Sequence, residues 1–237
     1  MTTPTALITG ASRGIGRACA IGLAALGYRV VLTARSKSGL QAVEDEIAQL
    51  DGSGETLSFP LDVTDDSALL ALIGLLHKQV GQIDVLVNNA GIDADGTLDT
   101  EQADFDRLLN TNLRAPYVLL KHVVPMMEGA ANPYIFNVAS RAGKVGFAHA
   151  GSYGASKFGL VGLNESLYRE FASSPIRVTA ICPGWVNTDM AQSPKCPLEP
   201  DDMIQVEDIF GTLEWLLSLS PQTCVKEVQI ECKGSIA

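Results

Sequence analysis

Seven short apolar runs of strand length, at residues 6–9, 30–33, 57–61, 85–87, 134–138, 178–181 and 228–230, are separated by stretches of helical length and pattern. The helical stretches are residues 14–26, 40–50, 66–80, 105–127, 153–171 and 206–217. Nearly unbroken apolar runs are what strands look like when crossover helices bury both their faces. Strand and helix alternating almost to the last residue therefore predict an α/β fold: a doubly wound Rossmann-type arrangement around a mainly parallel seven-stranded sheet. No Pro/Gly/Ser linker, repeat or low-complexity segment interrupts the pattern, so residues 1–237 are expected to form a single domain. A Pro-rich patch at residues 193–200 is a loop long enough to be a lid, and the stretch 189–203 around it is expected to cover the substrate. Thr64, ahead of Asp65 and Asp66, and Thr100–Glu101, ahead of Phe105, mark two helix starts.

Composition narrows the function classes. Hydrophobic residues make up 46% of the 237 and charged ones 19%, enough for a real core and too apolar for disorder. The 27 acidic against 17 basic residues give a formal charge of -10, which disfavours nucleic acid and anionic membranes as partners. Five scattered cysteines, with no Cys-x-x-Cys pair, and three histidines without ligand spacing read as reduced thiols and no metal site. The N-terminus lacks the basic-then-apolar pattern of a secretory signal. The longest apolar stretch, residues 68–76, is about half of the roughly 18 residues a membrane span requires. A cytoplasmic protein is expected.

The first run leads straight into Gly10-Ala11-Ser12-Arg13-Gly14-Ile15-Gly16 and then into a helix. Glycines at such a strand-to-helix turn permit a tight backbone path and close approach of a pyrophosphate, whose charge rests on the free amides of the helix N-terminus. The same glycines would also serve tight strand–helix packing alone, and the spacing Gly-x-x-x-Gly-x-Gly differs from the commoner Gly-x-Gly-x-x-Gly. At the end of the second run, where an acidic residue would hold the ribose hydroxyls of NAD, this chain has Ala34-Arg35. Arg35, with Arg13 in the turn, suits the 2'-phosphate of NADP(H) by charge-assisted hydrogen bonds, although either arginine would also do as a solvated surface charge.

Tyr153 and Lys157 lie four residues apart, on one face of a predicted helix. An ammonium one turn away favours the phenolate, which makes the tyrosine a usable acid or base. Ser140 follows the run 134–138 at the carboxyl edge where open parallel sheets bind ligands, and its hydroxyl is placed to hold a carbonyl oxygen.

Together these motifs resemble the short-chain dehydrogenase/reductases of about 250 residues. Thr9-Gly10, Gly14-Ile15-Gly16, Asp62-Val63, Asn88-Asn89-Ala90-Gly91, Asn112, Ser140, Tyr153-x-x-x-Lys157 and Pro183-Gly184 occur in the family's order over nearly the whole chain. The resemblance implies a tetrad. Asn112 would support a relay water, Ser140 would orient the carbonyl, and Tyr153 would be the general acid/base. Lys157 would lower the tyrosine pKa and bind the nicotinamide ribose. It further implies that Asp62 and Val63 contact the adenine, that Asn89, Ala90 and Gly91 border the adenosine ribose, and that Pro183, Gly184, Val186 and Thr188 hold the carboxamide end. For Asn112 a helix-surface amide, and for Thr188 a cap before Asp189, are the plainer readings.

The reading is an NADP(H)-dependent oxidoreductase that reduces a small-molecule carbonyl to an alcohol. Its rivals are an alcohol or hydroxy-acid dehydrogenase and a non-catalytic dinucleotide sensor, against which the full tetrad speaks. By resemblance a homotetramer or homodimer forms through the helices around residues 113–127 and 153–171. Two departures stand out. The last run continues Glu231-Cys232-Lys233-Gly234, without the Asp-Gly-Gly ending common in the family's ketoacyl-carrier-protein reductases, and Ser140 is followed by Arg141. With Lys144 and His149 in the same loop, Arg141 offers either a cationic mouth for an acidic substrate or ordinary solvated charge.

Overall fold

The structure, a computed structural model, describes residues 3–191 and 196–235. Residues 192–195, within the expected lid, lie outside the described residues. Seven strands pair in parallel: β1 (Thr5–Thr9), β2 (Arg29–Ala34), β3 (Thr56–Pro60), β4 (Val85–Asn88), β5 (Tyr134–Val138), β6 (Arg177–Pro183) and β7 (Glu227–Ile230). Their order in the sheet is β3-β2-β1-β4-β5-β6-β7, so the winding reverses between β1 and β4. Parallel pairing puts every strand's carboxyl end on one edge, and the reversal opens a crevice there.

Alternation within each strand builds two cores. Ala6, Ile8, Val30, Leu32, Val85, Val87, Tyr134 and Phe136 face α1 (Gly14–Ala25), α2 (Lys37–Ile47) and, from the far end of the chain, α7 (Val206–Ser218). Leu7, Val31, Leu86, Ile135 and Val178 point the other way, against α3 (Asp66–Gln79) and the helices that follow β4. A period of two with apolar residues on both faces is what a sheet covered on both sides demands.

The stretch expected as one helix over 105–127 is a rod with a fault. It comprises α4 (Gln102–Leu109), a π-helical turn at Asn110–Arg114 and α5 (Ala115–Met127). The amide of Ala115 reaches the carbonyl of Asn110, five residues back. Pro116 follows at once, and having no N–H it offers nothing to the carbonyl of Asn112, four residues before it. Insertions of this kind are frequent at functional sites. At the start of α3 the cap is Asp65, whose carboxylate accepts from the Ala68 amide at 3.1 Å, while the Thr64 hydroxyl turns back to Asp62.

Buried amides tie β4 and β5 to the helix that follows β5. Asn88 Nδ2 donates to Asn137 Oδ1 at 2.9 Å, Asn137 Nδ2 to Asn164 Oδ1 at 2.9 Å, and Asn164 Nδ2 to the carbonyl of Lys226 at 3.0 Å. All three asparagines are buried. The chain runs from β4 through β5 into α6 (Gly151–Glu170) and fixes the height of that helix on the sheet. Asn164→Leu strands the buried Asn137 amide, while Lys226 O keeps the Ala180 amide at 3.1 Å, and a loss on the order of 2 kcal/mol of unfolding free energy is expected, read as a lower urea midpoint at unchanged m-value.

Candidate active site

The glycine turn after β1 is closed by contact with the loop after β4. Gly10 has φ +66° and Gly14 φ +54°, the left-handed region that glycine enters at no steric cost. A Cβ on Gly10 would meet the Asn89 side-chain amide at 2.9 Å, and one on Gly16 would run into the carbonyl of Gly10. Asn89 Nδ2 donates to the carbonyls of Thr9 and Gly10 at 2.9 and 3.2 Å, and the Thr9 hydroxyl accepts from the amides of Asn89 and Ala90, each at 3.0 Å. The side chain of Asn89 is thus committed to the turn. Ile15 packs on the core beneath it.

The first turn of α1 is left open. Its N-cap, Arg13, places no side-chain hydrogen bond on the helix, and no acidic residue stands in the first turn. Free amides at a positive helix end, under a glycine path with no Cβ in the way, fit a dinucleotide pyrophosphate. Gly14 lies against Thr188, whose γ-methyl would be 3.0 Å from a Cβ there, so the loop after β6 meets the turn. Ser12 backs onto Gly39 at the start of α2.

Arg13 and Arg35 differ in what surrounds them. The Arg13 guanidinium pairs with Asp189 at 2.8 Å in a solvent-exposed bridge. Arg35, also exposed, stands near Asp62. Burial works against ionisation of the Asp62 carboxyl, but hydrogen bonds from the Thr64 amide and hydroxyl, with the Arg35 charge, hold it below its ordinary value. Val63 beside it is buried.

Around Gly91 the remaining residues converge. A Cβ on Gly91 would stand 3.4 Å from Asn112 Oδ1 and 3.5 Å from Lys157 Nζ. Asn112 is fully buried, and its amide is spent on structure: Nδ2 donates to Ile92 O at 2.8 Å and to Ser156 Oγ at 3.0 Å, and Oδ1 accepts from Ile92 N at 2.9 Å. Neither N–H is left for a water. Lys157 Nζ donates to the carbonyl of Val138 at 3.0 Å and lies 5.8 Å from the centre of the Tyr153 ring. Ser140 begins a 3-10 turn at Arg141–Gly143, its Oγ accepting from the Ala142 amide at 3.1 Å, and its hydroxyl also meets the Tyr153 phenol. Pro183 ends β6, and Gly184 and Val186 lie in the loop that follows; the Gly184 amide donates to Ile230 O at 2.8 Å, and Val186 bridges to Ile204.

Burial sets the protonation states. It pushes the Tyr153 phenol up to about 12, with the Ser140 hydrogen bond opposing and the Asp93 carboxylate adding to the rise. It brings the Lys157 ammonium down to about 8. The lysine was expected to favour the phenolate; in the chain alone the ammonium is a ring's width away, and desolvation decides at the phenol. The cationic mouth is not there either. Arg141 pairs with Glu231 at 3.1 Å and Lys144 with Glu227 at 2.7 Å.

Sequence reasoning passed over Asn137 and Asn164. Asn137 announces itself as the one polar residue inside the run Tyr134–Val138, where only a paired amide survives burial.

The short chain dehydrogenase family matches residues 4–196 of this chain. The 3-oxoacyl-[acyl-carrier-protein] reductase FabG of Escherichia coli is 39% identical over 189 residues, 79% of this chain and 75% of the relative. The crystal structure of a betaketoacyl-[ACP] reductase (FabG) from Bacteroides thetaiotaomicron superposes with a TM-score of 0.87 at 45% identity, covering 99% of both chains. An alcohol dehydrogenase from Thermococcus sibiricus, solved in complex with 5-hydroxy-NADP, gives a TM-score of 0.88 at 26% identity over 98% of this chain and 97% of its own. The chain belongs to the short-chain dehydrogenase/reductase family, and it is an oxidoreductase. Among the described residues no helix is long and apolar enough to cross a membrane, and no cluster of His, Cys, Asp and Glu is placed to hold a metal ion.

The shifted lysine gives a pH test. Between about pH 8 and 10.5 the unfolded chain holds the Lys157 proton and the folded chain does not, so folding stability rises with pH through that window. Lys157→Met removes the group. The variant sheds a costly charge and gives up the bond to Val138 O, and its stability relative to the unmodified chain is expected to fall by on the order of 3 kcal/mol as pH rises from 7 towards 10.5, measured as urea midpoints at pH 7 and pH 10.

Proposed function

We propose that residues 1–237 act as one NADP(H)-binding unit that reduces the carbonyl of a small molecule to an alcohol, a 3-oxoacyl compound being the class that the names of its relatives support. The observation that carries the reading is the convergence of Asn112, Ser140, Tyr153 and Lys157 around Gly91 at the carboxyl edge of the sheet.

NADPH supplies the hydride when bound, with Gly10, Ser12, Gly14, Ile15 and Gly16 cradling its phosphates, Arg35 at the 2'-phosphate, and Asp62, Val63, Ala90 and Gly91 along the adenosine. Pro183, Gly184, Val186 and Thr188 take the carboxamide end. Arg13 joins the site on release from Asp189, and Asn89 serves it indirectly by holding the turn.

The Ser140 hydroxyl orients the carbonyl oxygen, and the Tyr153 phenol gives it a proton as charge develops there. Burial keeps that phenol protonated, which suits reduction over alcohol oxidation. Proton return runs past Lys157 to water at Asn112. Since both amide hydrogens of Asn112 are taken, its main-chain carbonyl, to which Pro116 brings no N–H, is the group that holds this water. Assembly as a homodimer or homotetramer through α5 and α6 belongs to the same reading, supported by the exposed Tyr117 and Phe158 on those helices. So does a cytoplasmic location, in keeping with a chain of scattered free thiols.

The test is NADPH oxidation against aldehydes, ketones, diketones and 3-oxoacyl thioesters. Tyr153→Phe is expected to lower kcat about 10³-fold while NADPH still binds, the scale of a lost general acid. Arg35→Ala is expected to cut the kcat/KM preference for NADPH over NADH about tenfold or more, the loss of one charge-assisted contact. Equal turnover in the Tyr153 variant would sink the reading.

A further inference from the structure

The segment after β7 reaches both halves of the site just described. Arg141 is the first residue of the turn that Ser140 caps, and its guanidinium lies 3.1 Å from Glu231 Oε2. It also donates to the carbonyl of Ser235 at 3.3 Å and stacks over Phe147 with 5.1 Å to the ring centre. Three groups of the chain itself, the Glu231 carboxylate, the Ser235 carbonyl and the Phe147 ring, therefore engage Arg141, and a substrate anion is not what it serves. Glu231 faces the opposite loop. Its Oε2 is closed off from solvent, accepts no aligned hydrogen bond, and would stand 3.2 Å from a Cβ on Gly184. Its other oxygen accepts from Gln229 Nε2 at 2.6 Å. Next to it Ile230 O takes the Gly184 amide and the Cys232 thiol donates to Trp185 O at 3.0 Å.

Both side chains keep some contact with water, at 27% and 20% exposure, but Oε2 itself is shut away with one guanidinium as its counter-charge, so parting the two leaves that oxygen without a partner. Both partners sit on backbone that the reaction uses: Arg141 one residue from Ser140, and Glu231 against Gly184.

We propose that Arg141 and Glu231 are positioning residues whose ion pair braces the Ser140 turn against the Gly184 loop, setting the separation between the group that orients the carbonyl and the loop that receives the nicotinamide end. For the roles of Ser140 and Gly184 this rests on the reductase reading. A brace predicts coupling that a merely structural contact does not: it can be broken from either end, and only once.

The experiment uses the full chain with Arg141→Gln, Glu231→Gln, the double variant and the charge swap Arg141→Glu/Glu231→Arg. Each single is expected to lower kcat about tenfold, with NADPH Kd changed less than about threefold, because the phosphates and adenine are held elsewhere. The double should lose no more than the worse single, and the swap should regain most of the loss. Singles within about twofold of the unmodified kcat, or losses that multiply to about a hundredfold in the double, would overturn the proposal. So would a lowered melting temperature at unchanged kcat. Amide exchange at Ala142 and Gly143, whose N–H groups bond Ser140, reads the turn without any substrate. A chain that reduces no carbonyl but exchanges faster there in both singles loses the reductase reading and keeps the brace, whereas unchanged exchange rejects the brace.

Discussion

A parallel sheet whose winding reverses between β1 and β4 has a gap at that point, and something must tie the two strand ends together for the loops beyond them to form one site. Here the tie is the side-chain amide of Asn89, which donates to Thr9 O and Gly10 O, backed by the Thr9 hydroxyl beneath the amides of Asn89 and Ala90. The fit leaves no space. A Cβ on Gly10 or Gly16 would strike this amide or the backbone beside it, so the glycines and the asparagine specify each other. With the turn closed, α1 presents its uncapped first amides to the crevice, and Gly91 is delivered to the foot of Asn112 and Lys157.

The second constraint is burial of the chemical pair. Tyr153 is driven towards the neutral phenol and Lys157 towards the neutral amine by one cause, removal from water. Everything that holds them is directional. Lys157 is held by Val138 O, the Tyr153 phenol by Ser140, and the helix beneath both by the amide chain from Asn88 to Lys226 O and by Ser156 between Asn112 and Tyr153 O. Polar groups satisfied in this way fix one geometry, and a fixed geometry is what proton transfer to a carbonyl oxygen needs.

The sheet was legible because apolar runs such as Val30–Thr33 and Tyr134–Val138 carry their own length and spacing. Residues acting through backbone freedom or charge were legible as well: the glycines, Arg35, Tyr153 and Lys157. Less was visible where the partner is remote. Asn89 was read as lining a ribose, yet its amide closes a turn some eighty residues away; Arg141 and Lys144 were weighed as free cations, and their acids lie beyond residue 226. The π turn escaped because it is a single wide turn between two short helices, each too short for the shift of the apolar stripe from one to the other to stand out. Pro116 was the available signal.

The account turns on Tyr153 being a proton donor that burial keeps protonated. Its titration can be followed directly by carbon NMR of the chain labelled at tyrosine Cζ, with Tyr153→Phe identifying the resonance. The account predicts a phenol that stays protonated through pH 10 and titrates at about 12 in the chain without cofactor. A Tyr153 resonance already that of a phenolate at pH 7 would contradict it.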